Sequence, residues 1–132
     1  MKSYLYSIVL SLLLSSVSMD ATSAELVGKF SGSGSGHTTE FEVRAPWLLD
    51  WRVNSDYPQM LGIEVSLIEA KSGTHAGYVL KTKQRGNGVR LFQEGGLFLL
   101  RVDATMADWI LKVEQLNRNE AEQYTPREKS SS

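Results

Sequence analysis

Hydrophobic and polar side chains alternate along most of the chain, and one tryptophan-rich segment displays the pattern most clearly. This segment, WLLDWRV, begins at Trp47. Because successive side chains of a β-strand point to opposite faces, Trp47, Leu49 and Trp51 share one face and the charged side chains lie on the other. We therefore predict that both tryptophans lie in a hydrophobic core and not on a solvent-facing aromatic platform.

Alternating segments of this kind recur at close spacing, separated by clusters of glycine, serine, asparagine, aspartate and proline. Short strands joined by such turns are typical of an all-β sandwich or barrel. We predict a single antiparallel β-sandwich of the jelly-roll type with about eight short strands. The strands are expected at residues 25–31, 37–44, 47–53, 60–69, 77–83, 88–93, 96–103 and 108–114.

The N-terminal residues have the composition of an export signal. Lys2 precedes an apolar, serine-diluted run, and small residues at 21–24 resemble a signal-peptidase site. The apolar run is shorter than the about 20 residues that a membrane-spanning helix needs. We expect residues 1–24 to be a cleaved signal peptide, which gives a periplasmic or secreted protein without stable membrane insertion.

The remaining chain predicts one small domain followed by a tail. Residues 25–115 carry the strand pattern, whereas residues 116–132 are polar and charged and end in serines. The first part of this tail is predicted to form a helical turn or two, and its end is predicted to be disordered. Since the sequence contains no cysteine, the domain must be stabilised by its core and not by disulfides.

The side chains that could support catalysis or metal binding are few. His37 and His75 are the two histidines of the chain, and no serine lies in a recognised nucleophile motif. We therefore predict no enzyme activity, catalytic residue, cofactor or metal site. The alternatives are a small hydrolase that uses one of these histidines, and a calcium site near Asp56 or near Asp103 and Asp108, although the spacing differs from that of known calcium loops.

Charge narrows the range of partners. The formal net charge is −1, and nucleic-acid binding relies on a basic surface, so no nucleic acid is expected as a partner. Lys81, Lys83 and Arg85 alternate along one predicted strand, and Arg90 lies on the next. These cations could bind an anionic envelope polymer. Alternatively, they belong to a solvated sheet face or to an edge strand whose lysines discourage association between sheets. Tyr57, Tyr78 and Phe92 fall on loops or off the core phase, and we expect these aromatic side chains to be exposed. The candidate ligand-binding residues are Lys81, Lys83, Arg85, Arg90, Tyr57 and Tyr78.

Several leucines fall on the outer phase of their strands, among them Leu48, Leu97 and Leu99. Strand pairing that brought such side chains together would create an apolar patch, which is typical of an interface. We expect the sheet that carries Leu97 and Leu99 to be covered by the segment after Val113, by a partner or by a second copy.

The motifs of the predicted core resemble those of a known group of domains. A Gly/Ser-rich opening at residues 32–36 precedes Phe-Glu-Val at 41–43 and Pro-Trp-x-Leu-x-Trp from Pro46; later come Gly-x-Phe-x-Leu-x-Val from Gly96 and Asp-Trp-x-Leu-x-Val from Asp108. This layout is similar to small exported bacterial β-sandwich domains and resembles pre-peptidase C-terminal domains, which are jelly-roll modules often appended to secreted enzymes. The resemblance implies a fold and an exported location, and it assigns neither a ligand nor catalytic residues.

These observations favour a non-catalytic exported binding module of the bacterial envelope or exterior. Its partner is expected to be a protein or an envelope polysaccharide, bound by loops or by an exposed sheet face on a rigid scaffold. The alternative is a structural envelope component that self-associates into homo-oligomers.

Overall fold

The computed structural model describes residues 24–124. The predicted signal peptide, apart from Ala24, and the end of the predicted tail lie outside the described residues. Within this range, nine strands form two antiparallel sheets that pack face to face, so the predicted all-β sandwich is confirmed. No helix in residues 24–124 is long and apolar enough to cross a membrane. The elements are β1 Glu25–Ser33, β2 Gly36–His37, β3 Phe41–Val43, β4 Trp47–Asn54, a 3-10 helix Pro58–Met60, β5 Gly62–Glu69, β6 His75–Thr82, β7 Gly86–Phe92, β8 Gly96–Thr105, β9 Asp108–Gln115 and α1 Arg118–Tyr124.

The two sheets are built from strands that are far apart in the sequence. Sheet A has the order β1-β9-β4-β7, and sheet B has the order β2-β8-β5-β6, with β3 paired to β8 beside β2. The C-terminal strand β9 therefore lies between β1 and β4. Neighbouring side chains on sheet A therefore come from segments near both ends of the chain that forms the domain.

The predicted strand 37–44 is divided into β2 and β3 by a kink at Thr38. This buried threonine pairs with Leu100 by its backbone and its side chain. Its amide donates to the Leu100 carbonyl at 2.9 Å, and its hydroxyl accepts from the Leu100 amide at 3.0 Å. Because a hydroxyl can replace a backbone carbonyl as acceptor, the chain bends here without losing a hydrogen bond.

The core has the composition that the alternation predicts. Trp47 and Leu49 are 0% exposed, and Trp51 is half-buried against them. The Trp47 indole donates to the Glu94 carbonyl at 2.8 Å, and its ring stacks on Phe92 with centroids 4.2 Å apart. The core position is confirmed for Trp47, whereas Trp51 packs against the core and is only partly buried. The expectation that Phe92 is exposed is wrong, because the pairing of β7 with β4 places it opposite Trp47.

The segment after β9 folds back onto the outer face of sheet A. Leu48 is buried there beneath Leu116 and Ala121. A capping box fixes the start of α1, since the Glu120 amide donates to Asn117 Oδ1 at 2.8 Å and the Asn117 amide donates to Glu120 Oε1 at 3.0 Å. The expected helical turns are therefore present, and they pack on the sandwich.

This segment does not cover the leucines for which a cover was expected. Leu97 and Leu99 belong to β8 and lie half-buried on the outer face of sheet B, opposite Glu42 and Ile68. In this chain α1 packs on sheet A instead. Within the described residues, the segment after Val113 therefore does not cover Leu97 and Leu99, contrary to the expectation, and a covering partner or second copy stays a prediction.

One carboxylate beside α1 makes stability depend on pH. Burial raises the pKa of Glu114, Asp50 and Glu120 raise it further, and Lys112 opposes them. An acid whose pKa is higher in the folded protein destabilises the fold while it is ionised, and this cost disappears as the pH falls below the unfolded value near 4.5.

Glu114→Gln is therefore expected to raise the urea midpoint at pH 7, because the glutamine carries no charge to bury. The advantage over the wild type should shrink as the pH is lowered towards 4.5, because folded Glu114 becomes protonated above that value. Glu42→Gln, on the exposed face of β3, serves as the control and should leave the urea midpoint unchanged both at pH 7 and at pH 4.5. A lower midpoint for Glu114→Gln at pH 7 would contradict the assigned cause.

Candidate functional site

The cations that the sequence places along one strand do not form a continuous row. Lys81 lies on β6 at the outer face of sheet B, opposite Glu64. The strand ends at Thr82, and Lys83 and Arg85 belong to the turn that follows. Within this group only Lys81 projects from the sheet, and a carboxylate faces it.

Arg90 lies on β7 and is held against β6 at the edge of the sandwich. Its Nη1 donates to the carbonyl oxygens of Tyr78 at 2.6 Å and Val79 at 3.2 Å, and its guanidinium lies 5.4 Å from the centroid of Phe92. Since β7 belongs to sheet A and β6 to sheet B, these bonds join the two sheets. Arg90 thus closes the sandwich edge, with its Nη1 bonded to backbone carbonyls.

The outer face of sheet B carries both histidines, but on different strands. The ring of His75 on β6 contacts that of the exposed Tyr78, with centroids 4.6 Å apart. His37 on β2 pairs with Arg101. Two strands, β8 and β5, separate the histidine strands, which places the histidine backbones at least about 14 Å apart. The histidines do not converge on one centre.

The acidic residues considered for calcium are also distributed over the molecule. Asp103 lies on sheet B, 3.8 Å from the Arg101 side chain, whereas Asp108 lies on sheet A and Asp56 lies in the loop after β4. Residues 24–124 contain no group of three or more histidine, cysteine, aspartate or glutamate side chains that could hold a metal ion.

A concave surface lies on the outer face of sheet A, away from α1. It is an open groove of about 790 Å³ to which all four strands of the sheet contribute. Strand pairing places its outward side chains in two adjacent rows. The first row is Ser33, Asp108 and Asn54, and the second is Ser31, Ile110, Arg52 and Asn87.

The groove combines polar side chains of both charges with an apolar centre. Asp108 accepts a hydrogen bond from the Ser33 hydroxyl, which fixes one carboxylate oxygen and orients the group. Arg52 lies on the neighbouring row and provides donors in a planar arrangement. Ile110 is half-buried between the two ends of its row. Such a surface can donate, accept and make apolar contact within one continuous area.

A smaller end pocket adjoins the groove where the strands end. It has a volume of about 340 Å³ and shares Ser33 and Asp108 with the groove. Its other side chains come from the loop after β4 and from the turn between β8 and β9, and they include Tyr57 and Met106, which are 59% and 46% exposed. The predicted exposure of Tyr57 is confirmed, and so is that of Tyr78 on sheet B, where 57% of the residue is accessible.

The sequence contained part of the signal for this groove. Alternation in β4 already places Arg52 on the outer phase, where it indicates a wet face. The convergence of Ser33 with Asp108 is not visible in the sequence, because 75 residues separate them. Sequence reasoning therefore missed the groove, although it singled out Tyr57 as exposed and Asp56 and Asp108 as candidate calcium ligands.

Comparison with known proteins adds no family to this description. No protein-family model matches the chain, and no curated protein matches it in sequence with significance. The resemblance to pre-peptidase C-terminal domains stays a prediction, and the functional argument rests on the fold and the groove.

Proposed function

We propose that this protein is a non-catalytic, exported binding module of the bacterial envelope or exterior, and that the sheet A groove binds an envelope polysaccharide. The observation that carries this proposal is the groove itself, an open concavity of about 790 Å³ lined by polar side chains from four strands. Side chains on strands are held more rigidly than those on loops, which favours their use as a preorganised binding surface.

The chemistry of the lining favours a hydroxyl-rich ligand. Each sugar hydroxyl donates one hydrogen bond and accepts others, so it needs partners of both kinds. Arg52 supplies donors, the carboxylate of Asp108 supplies acceptors, and Asn54 and Asn87 supply both. An open groove also accommodates a polymer that enters and leaves at its two ends.

The same lining lacks a well-exposed aromatic side chain of the kind that anchors protein interfaces. The centres of protein interfaces are enriched in aromatic side chains and depleted of charged ones. Trp109 contributes to the groove wall, but it is only 6% exposed because its ring faces the core. The groove lining exposes more apolar than polar surface, and its charged and amide side chains are the directional contacts that it offers to a ligand.

Arg52→Ala is expected to weaken binding of an isolated bacterial envelope polysaccharide about tenfold, because a buried hydrogen bond to a charged donor contributes about 1.5 kcal/mol or more. Affinity electrophoresis with the polysaccharide in the gel measures the change. Circular dichroism should give an unchanged spectrum, since Arg52 is exposed on the sheet surface.

Arg101→Ala is the matched control, because it removes an exposed arginine from the outer face of sheet B. It should bind the polysaccharide as the wild type does. Weaker binding of Arg101→Ala together with normal binding of Arg52→Ala would move the binding surface to sheet B and overturn the assignment of the groove.

A further inference from the structure

We propose that the groove and the end pocket form one continuous site, in which Tyr57 stacks on a sugar ring, and that the ligand is a neutral glycan of several sugars. This inference rests on the proposed function and adds the class and the length of the ligand. The two concavities, of about 790 and 340 Å³, meet at Ser33 and Asp108. A chain that crosses the Asp108 row from Arg52 therefore arrives at Tyr57.

The loop that carries Tyr57 is held by short-range hydrogen bonds. The Tyr57 amide donates to the hydroxyl of the buried Ser55 at 3.0 Å, and the Tyr57 carbonyl accepts from the Met60 amide at 2.9 Å. The ring itself is 59% exposed. A fixed backbone below an exposed ring is the arrangement expected of a preorganised contact, because little loop entropy is lost on binding.

The opposite wall of the end pocket contains a strained residue. Met106 has φ +50°, a left-handed conformation that costs a residue other than glycine free energy. The turn is maintained by the Gly34 amide, which donates to the Ala107 carbonyl at 2.9 Å. This conformation places the Met106 side chain, 46% exposed, at the pocket that Tyr57 also lines.

Sugars present two kinds of surface, and the site has a counterpart for each. The hydroxyl groups project from the edge of a sugar ring, where the side chains of Arg52 and Asn54 can bind them. The face of the ring exposes C–H groups, which pack against an aromatic ring such as that of Tyr57. The groove therefore binds edges, and the end pocket binds a face.

The length of the site requires more than one sugar. Arg52 and Asn54 lie two positions apart on β4, a distance of about 7 Å. Tyr57 follows Asn54 beyond the end of the strand. A ligand that contacts both Arg52 and Tyr57 must extend past the Asp108 row, so an oligosaccharide gains a contact that a disaccharide bound at Arg52 does not reach.

The charge of the lining indicates that the glycan is neutral. Arg52 is the cation among the residues that line the two concavities, and it is accompanied by the carboxylates of Asp56 and Asp108. A phosphorylated or uronic-acid polymer would place further negative charge beside these two groups. Of the cations that the sequence suggested for an anionic polymer, Lys81 lies on the outer face of sheet B, and Lys83 and Arg85 are not among the residues that line the two concavities.

The test uses isothermal titration calorimetry with glucose, mannose and N-acetylglucosamine oligosaccharides of two and of six sugars. We expect a hexasaccharide of one series to bind at least tenfold more tightly than its disaccharide. Tyr57→Ala should weaken the hexasaccharide about fivefold to tenfold and leave the disaccharide unchanged, whereas Tyr57→Phe should retain the wild-type affinity. Tyr78→Ala, which removes an equally exposed tyrosine from sheet B, is the control.

The variants separate the two proposals. Unchanged hexasaccharide binding by Tyr57→Ala with weaker binding by Arg52→Ala would overturn the continuous site and leave the groove in place. Unchanged binding by both variants would overturn the proposed function as well. If none of the oligosaccharides binds, or if affinity falls steeply when salt is raised, the ligand is not a neutral glycan and the inference fails.

Discussion

Replacing Trp47 with alanine is expected to lower the free energy of unfolding by about 3–5 kcal/mol, the range for large-to-small substitutions in packed cores. Trp47 is 0% exposed, so removing its ring would leave a buried cavity that the neighbouring side chains can only partly fill. The ring stacks on Phe92 of β7 and lies 5.9 Å from the centroid of Phe98 of β8. Since these strands belong to different sheets, the cavity would open where the two halves of the sandwich meet.

A second contribution comes from the indole nitrogen of Trp47. It donates to the Glu94 carbonyl at 2.8 Å, and this bond holds the turn between β7 and β8 against the core. Trp47→Phe keeps most of the ring but removes the donor, so its loss should be smaller than that of alanine by about 1–2 kcal/mol or more.

Urea unfolding followed by circular dichroism measures these differences. Tyr78→Ala is the reference variant, because it removes an aromatic ring that is 57% exposed on sheet B, and it should cost less than about 1 kcal/mol. Similar losses for Trp47→Ala and Tyr78→Ala would contradict the central place of Trp47 in the core. Trp51 is only half-buried and should give an intermediate loss.

The sequence predicted this core because strand alternation is a local property. Trp47 and Leu49 share a face whatever their strand neighbours are, since only the two-residue period decides it. The prediction failed for Phe92, whose position depends on which strand β7 pairs with. The pairing with β4 turns its side chain to Trp47, and nothing within β7 itself indicates that partner.

The same distinction explains what could be predicted of the candidate site. The exposure of Tyr57 follows from its loop, where Pro58 and Asp56 are typical turn residues. The groove depends on β9 lying between β1 and β4, an order that joins the two ends of the domain. For Arg90, closeness in sequence was misleading. The sequence pattern grouped it with Lys81, but Arg90 lies on the other sheet and binds backbone carbonyls.

Gly32 illustrates how such long-range pairing restricts a single position. The first predicted strand ends at residue 31, before Gly32, yet β1 continues through Ser33, and the turn is at Gly34, which has φ +76°. Gly32 pairs with Trp109 of β9. A Cβ atom on Gly32 would lie 2.5 Å from the Trp109 ring, which is closer than carbon atoms can approach.

Gly32→Ala is therefore expected to lower the free energy of unfolding by about 1–3 kcal/mol, the cost of overpacking. The tryptophan cannot easily move away, because its Nε1 donates to the Gly34 carbonyl at 2.9 Å and its ring is buried in the core. Gly36→Ala is the matched control, since no atom lies within 4 Å of its added methyl group. Alanine in an open strand position is normally favourable, so this control should be neutral or more stable by up to about 1 kcal/mol.

A double-mutant cycle identifies the ring as the cause. In a Trp109→Phe background the part of the indole nearest to Gly32, the Cζ2 atom, is absent. The cost of Gly32→Ala should then fall, which gives a coupling energy of about 0.5 kcal/mol or more between the two sites. Gly36→Ala should show no coupling with Trp109→Phe beyond the error of the measurement. If Gly32→Ala costs the same in both backgrounds, contact with the Trp109 ring is not the reason why position 32 requires glycine.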